Sequence, residues 1–333
     1  MRPPGFLNIL QNQLESLSFE DLERVNRVGG LEVRDIIDLL LHPKDHTVQD
    51  PCEIDLSKIS NLCDSEEARL SGTDYLVTGA VGVCFIANES CLRNLPRLGV
   101  TVLESYVLRV AFAKDVWVVV PHHLLDKFTS AIDNFKYKKP KIITQYESLC
   151  LAPDNQLYYE NGKPVFHPCG SGDAIEALKV SGEIQRFLES GGRHIVFSDT
   201  DNSQGLPSPS LIADHVSSRY PVTCVVTDSE TRDALPVVCD HAGFDQVVER
   251  FRFSSYVEIE QFKFVFTGTM IVDVSLNFDN VRWTWHRRKR VQDRSLVVQY
   301  VRYLQDLTAT FRTRFVFLGR KEAYVPLIQY ETA

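Results

Sequence analysis

Hydrophobic positions follow two different periods along this chain. Over residues 7–41 apolar side chains recur at helical spacing, most clearly in Val33-Arg34-Asp35-Ile36-Ile37-Asp38-Leu39-Leu40, and the pattern predicts a helical region. Within it, Ser18 precedes Phe19-Glu20-Asp21-Leu22-Glu23, a capping residue followed by an acidic first turn. His42-Pro43 closes the pattern, because a residue before proline is kept out of the helical region. Residues 44–72 are polar and mixed, and read as a linker. From Tyr75 onward the period changes to short apolar runs. Tyr75-Leu76-Val77 predicts a strand, and Thr78-Gly79-Ala80-Val81-Gly82-Val83 a glycine-containing loop. Further strands are predicted at Val116-Trp117-Val118-Val119-Val120, Lys141-Ile142-Ile143-Thr144-Gln145, 194–198 and 222–226. A loop over 152–173 leads into a helix over 174–190. The last third predicts strands at 264–266, 270–272 and 315–318, with a helix over 295–311. Strands that alternate with helices argue for an α/β domain with a parallel or mixed sheet. The division is then 1–72, an N-terminal helical extension and linker, and 73–333, the main domain.

Composition narrows this only a little. The chain has 333 residues, 44% hydrophobic and 24% charged, which suits a globular α/β domain with a substantial core. A net charge of −8 argues against a general nucleic-acid binder. No apolar run is long enough to cross a membrane. The N-terminus lacks the apolar core of a signal peptide. The eight cysteines form no C-x-x-C pair, so zinc and redox motifs are unsupported and free thiols in the cytoplasm are expected.

Candidate chemistry lies in two segments. The apolar run Ile195-Val196-Phe197 stops on Ser198-Asp199-Thr200-Asp201-Asn202. Ligands of open α/β sheets sit beyond the carboxyl ends of strands, and two carboxylates there suit a hard cation such as Mg²⁺. A solvated turn rich in Asx residues reads the same way. The second segment is His167-Pro168-Cys169-Gly170-Ser171-Gly172-Asp173. Its glycines permit close backbone approach to a ligand, and Asp173 is placed to cap the following helix. His122-His123 follow a strand end and could touch substrate, but read first as surface residues, and His194 as a packing residue. Cys84 or Cys91 could act as a nucleophile, but neither has a neighbouring His signature, and both read first as buried, inert thiols. The basic run Arg287-Arg288-Lys289-Arg290 could grip phosphate, an acidic partner or another subunit, but reads first as a solvated hairpin face.

Taken together, these segments resemble the UTP–glucose-1-phosphate uridylyltransferase family and its relatives that make UDP-N-acetylhexosamines. Pro168-Cys169-Gly170-Ser171-Gly172-Asp173 resembles the family's P-P-G-H-G-D loop at the uracil, and Ser198-Asp199-Thr200-Asp201-Asn202 its S-N-S-D-N strand end. Gln145 matches a glutamine after a strand, and Gln246-Val247-Val248-Glu249 the L-L-E element beside the sugar. Ile259-Glu260-Gln261-Phe262-Lys263 resembles I-E-K-F-K, and Leu318-Gly319-Arg320-Lys321 the L-P-V-K segment. The resemblance spans residues 74–330. It implies a Rossmann-like nucleotidyltransferase domain without the family's C-terminal β-helix. It implies transfer of a uridylyl group from UTP to a sugar-1-phosphate, with release of pyrophosphate. Asp201 would hold Mg²⁺, and Lys321 and Arg93 would neutralise phosphate. Gly79, Ala80, Gly82, Gln145, Gly170, Ser171 and Gly172 would line the nucleotide, and Asn202, Glu249, Lys263 and Thr267 the acceptor. Two departures stand out. Cys91 takes the place of a phosphate-binding lysine, and Val265-Phe266-Thr267-Gly268-Thr269 that of the asparagine-rich F-N-T-N-N. They keep open a second reading, a non-catalytic or altered-specificity descendant that binds nucleotide sugars.

Overall fold

The fold was taken from a computed structural model that describes residues 6–21, 37–40, 47–48, 50–95, 98–230, 234–254, 257–278, 281, 283–292 and 295–327. Its centre is a mixed sheet. We number its main strands β1 (Ile59–Asn61), β2 (Val81–Ile86), β3 (Val116–Pro121), β4 (Lys141–Gln145), β5 (His194–Asp199), β6 (Val222–Asp228), β7 (Phe264–Asp273) and β8 (Thr313–Phe317). Their spatial order is β1-β8-β6-β7-β5-β2-β3-β4. β7 runs antiparallel to β5 and β6, and the other neighbours are parallel.

Burial explains the apolar runs. All six residues of β3 are buried, as expected of a strand covered on both faces. Trp117 and Val119 enter one core with Phe187 and Phe197. Val116, Val118 and Val120 enter the other with Phe85 and Phe128. The two cores lie on opposite faces because side chains alternate along a strand.

Several elements differ from the expectation. Tyr75-Leu76-Val77 belongs to the helix Glu66–Thr78, not to a strand. Ser65 caps that helix, its Oγ accepting from the Ala68 N–H at 3.1 Å, and Glu66 and Glu67 sit in its first turn. Gly79 ends it at φ 84°, a left-handed conformation that favours glycine. The capped helix therefore runs through the apolar triplet, and the strand starts later, at Val81. The helix expected over 295–311 is a hairpin strand, Ser295–Val301, paired with His286–Gln292. A 3₁₀ turn at Leu304–Ala309 follows it. Val297, Val298, Tyr300 and Val301 are β-branched or aromatic, and they favour the pleated conformation. The two strands expected at 264–266 and 270–272 are one, β7, which continues through Gly268 at φ 86°. The helix over 174–190 is two, Asp173–Val180 and Glu183–Glu189, separated at Gly182.

Within the N-terminal region, Phe6–Glu15 and residues 37–40 are helical. Val33–Ile36 and His42-Pro43 lie outside the described residues. Residues read as linker instead join the sheet: β1 pairs with β8, and Cys52–Glu53 pairs with Val237–His241. Among the described residues, no helix is long and apolar enough to cross a membrane.

Candidate active site

The carboxyl ends of β2, β3, β4, β5, β6 and β8 open on one edge of the sheet, joined by the amino-terminal half of the antiparallel β7. There the acidic turn after β5 is held rigidly. Thr200 donates both its N–H and its hydroxyl to the Ile86 carbonyl at the end of β2, at 3.2 and 3.1 Å. Asp199 Oδ1 accepts the Asp201 N–H at 3.0 Å. Asp201 is exposed, and its Oδ1 accepts from Asn88 Nδ2 at 2.6 Å and from Ser90 Oγ at 3.2 Å. Gly268 lets β7 approach closely, for a Cβ on it would lie 3.0 Å from that of Asp199. Burial raises the Asp199 pKa, and the neighbouring Asp201 charge adds to the rise. Two crowded carboxylates are the arrangement that a divalent cation relieves. Among the described residues no three His, Cys, Asp or Glu side chains converge on one point. A cation here would thus complete its shell with water and phosphate oxygens, as Mg²⁺ usually does.

The loop facing this turn is Ala87–Arg93, after β2, and it contains no glycine. This corrects the placing of Gly79, Ala80 and Gly82. Gly79 ends a helix, and the Ala80 carbonyl accepts the Arg193 and His194 N–H groups. Gly82 is buried in β2, where a Cβ would lie 2.4 Å from the Trp117 ring. Gly82 pairs with Ile195, four residues before Asp199, and so lies about 13 Å from the acidic turn at about 3.3 Å per strand residue. Gly79 and Ala80, before the strand, lie further off at its amino-terminal edge. Asn88 and Ser90 were missed by the sequence reading. The signal available was a pair of short polar residues directly after an apolar strand. Cys91 is buried in the same loop, its Sγ 3.0 Å from the Asn88 carbonyl, and burial pushes its thiol up to about 12. Arg93 ends the turn and is exposed. Of the eight cysteines, only Cys52 and Cys63 are exposed. Native protein should therefore titrate two fast thiols with an aromatic disulfide reagent, and rapid labelling of Cys91 would contradict its burial.

Gln145, at the end of β4, is buried and donates from Nε2 to the Gly170 carbonyl at 2.5 Å. The Gly170–Gly172 loop packs on the backbone of 302–304. The Arg302 N–H donates to the Cys169 carbonyl at 2.8 Å, and the Gly172 N–H to the Arg302 carbonyl at 3.1 Å. Ser171 Oγ accepts the Leu304 N–H at 3.1 Å. A Cβ on Gly170 would meet the Arg302 oxygen at 2.3 Å, and one on Gly172 the Tyr303 backbone at 2.9 Å. These glycines answer first to chain packing. Asp173 opens the helix without capping it. Its Oδ2 accepts the Tyr146 N–H at 2.7 Å, and its Oδ1 pairs with Arg302 Nη2. We expect Gly170→Ala to destabilise the fold by at least about 2 kcal/mol, through a forbidden contact and a strained φ of +96°. Gly162, at φ +76° with nothing near its absent Cβ, serves as control. Gly162→Ala should shift the urea midpoint clearly less, and equal shifts would refute the contact.

The acceptor candidates divide. Asn202 is buried and saturated by backbone. Its Nδ2 donates to the Thr267 and Ala323 carbonyls at 3.0 and 2.8 Å, and its Oδ1 accepts the Gln204 and Val325 N–H groups at 3.0 and 3.1 Å. It has no capacity left for a ligand; it clamps the acidic turn to residues 320–325. Thr267 is buried too, its hydroxyl donating at 3.0 Å to the Val225 carbonyl at a β-bulge. Lys263 Nζ pairs with Glu53 at 3.3 Å. Lys321 lies exposed on the short helix Arg320–Ala323, which Asn202 brings to the same edge as Asp201. Glu249 lies beyond the Val248 end of the 244–248 strand, where burial raises its carboxyl to about 7. His123 Nδ1 is 3.0 Å from Glu147, and His194 packs against His215.

No family model and no curated protein matches the chain. Solved structures do. The uridine diphosphate N-acetylglucosamine pyrophosphorylase of Trypanosoma brucei, solved with an inhibitor, superposes with a TM-score of 0.72 at 12% identity, over 97% of this chain and 79% of that one. A UDP-glucose phosphorylase of the same organism gives 0.71 at 12% identity, over 96% and 75%. A point mutant of the Leishmania major UDP-glucose pyrophosphorylase, bound to UDP-glucose, gives 0.67 at 13% identity, over 98% and 77%. At such identities the likeness is one of backbone architecture, and the chain has the Rossmann-like nucleotidyltransferase fold of the UDP-N-acetylglucosamine and UDP-glucose pyrophosphorylases.

Proposed function

We propose that the protein binds a nucleoside triphosphate, UTP first, together with a phosphorylated sugar-like acceptor at the carboxyl edge of its sheet, and transfers the nucleotidyl group with release of pyrophosphate. The observation that carries this reading is the Asp199–Asp201 pair on that edge, backed by Asn88 and Ser90. Mg²⁺ on Asp201 would join the phosphates and neutralise their charge. The acceptor phosphate is already an anion, so positioning and charge neutralisation matter more than a general base. Lys321 and Arg93 are the exposed cations assigned to phosphate. Gln145 and the Gly170–Gly172 loop are assigned to the base, and Glu249 to the acceptor. The free cysteines fit a reducing compartment. The test is to incubate the protein with each NTP, Mg²⁺ and a panel of sugar-1-phosphates, and to follow pyrophosphate. Release with no combination defeats transfer.

A second reading has its own support. The loop Ala87–Arg93 offers no glycine backbone for close phosphate contact, Cys91 is buried within it, and Asn202 and Thr267 are committed to backbone. These features favour binding of a nucleotide sugar without transfer. Calorimetry with UDP-sugars separates the two, since saturable binding without pyrophosphate release selects the second.

A further inference from the structure

One cleft of this acidic chain is cationic. The turn Arg250–Arg252 and the hairpin strand His286–Gln292 border a cavity of about 530 Å³ lined by Arg250, Arg287, Arg288 and Lys289, with Glu249 and Phe251. The arginines are held by neutral partners. Arg250 Nε donates to the Leu235 carbonyl at 2.8 Å, Arg287 Nη2 to Asn155 Oδ1 at 3.2 Å, and Arg288 Nη1 to the Tyr303 hydroxyl at 3.2 Å. Among the described residues, no ion pair joins any of the four cations to a carboxylate. Four like charges around one cleft repel one another, and an entering anion removes that repulsion. The Glu249 carboxyl, which Gln305 contacts at 2.5 Å, is raised to about 7 by burial against the pull of Arg288. Near neutral pH only part of this carboxyl is ionised, and its protonated form can donate a hydrogen bond. Phe251 gives the cleft an exposed apolar wall, with Tyr303 and His286 behind it.

We infer that this cleft binds a compact polyanion, a small molecule carrying two or more phosphate groups, without help from a divalent cation. Guanidinium forks match phosphate oxygens in charge and geometry, and the volume is that of a small-molecule site. Of the residues assigned to nucleotidyl transfer, Glu249 lines the cleft while Asp201, Asn88 and Gln145 do not; the four cations carry the inference, not the acceptor role given to Glu249.

The test is calorimetry of the full chain in EDTA at low salt, with phosphate, pyrophosphate and tripolyphosphate as probes. Affinity should rise in that order. A triple variant, Arg287→Ser with Arg288→Ser and Lys289→Ser, should bind tripolyphosphate weaker by about tenfold or more. Those three side chains are exposed, and circular dichroism should be unchanged. If that variant is unfolded, Lys289→Ala alone should still weaken binding measurably. Glu249→Gln should tighten binding at pH 8, and Asp201→Ala should leave it unchanged. Three results overturn the inference: native affinity in the folded triple variant, a loss of equal size in Asp201→Ala, or tighter binding of a polyglutamate peptide than of tripolyphosphate.

Discussion

Replacing Arg302 with methionine is expected to lower stability at pH 8 by about 3–5 kcal/mol, the penalty of leaving one partner of a buried ion pair alone. Asp173 is fully buried, and Arg302 is the cation that meets it, flanked by Trp283 and Trp285. Burial already lifts the Asp173 pKa from 3.8 to about 6, against the opposing pull of Arg302. The sign follows from that direction. A carboxyl whose folded pKa is raised favours folding fully below its unfolded value, and this contribution is lost as pH rises through the folded pKa. Without Arg302 the folded pKa climbs further, so protonation should hide much of the damage at pH 5 and much less of it at pH 8. Urea unfolding at both values measures this. An equal loss at pH 5 and pH 8 would show that the pair is not the cause. Asp173→Asn in the Arg302→Met background should recover much of the loss at pH 8.

Asp201→Ala should weaken Mg²⁺-dependent nucleotide binding by about ten- to a hundredfold, the worth of one charge-assisted contact, and should remove any pyrophosphate release. The side chain is exposed, so thermal stability should stay near that of the native chain. Asn88→Ala tests the support. Without its 2.6 Å hydrogen bond to Asp201, the carboxylate loses its orientation, and a smaller loss in Mg²⁺ dependence is expected. Titration of UTP with and without Mg²⁺ reads both variants. Unchanged Mg²⁺ dependence in Asp201→Ala would remove the carboxylate from the metal site.

Cys91 shows how far a one-dimensional register carries. Its alignment with a lysine placed a nucleotide loop at residues 78–83, without gaps. The fold places the loop after β2 at Ala87–Arg93, and the segment 78–83 ends one helix and starts one strand. Both segments surround a short apolar stretch, and an apolar stretch alone does not reveal which end of a parallel strand it belongs to. The cap at Ser65 and the left-handed Gly79 decide it.

By itself the sequence determined the class of the fold, its buried strands β3, β5 and β6, and the acidic turn Asp199–Asp201 at a strand's carboxyl end. Each is local: a continuous apolar run requires cover on both faces, and its abrupt end on Asx residues requires a turn. Only the tertiary structure decided which polar residues are available to a ligand. Asn202 and Thr267 look like ligand residues in one dimension, yet their hydrogen bonds go to distant backbone, at Ala323 and at Thr267 for Asn202 and at Val225 for Thr267. Gly170 and Gly172 look like a ligand cradle, yet they give way to the chain at 302–303. Buried polar groups must be satisfied wherever a partner lies, and the partner is set by the packing of distant segments, which no local pattern encodes.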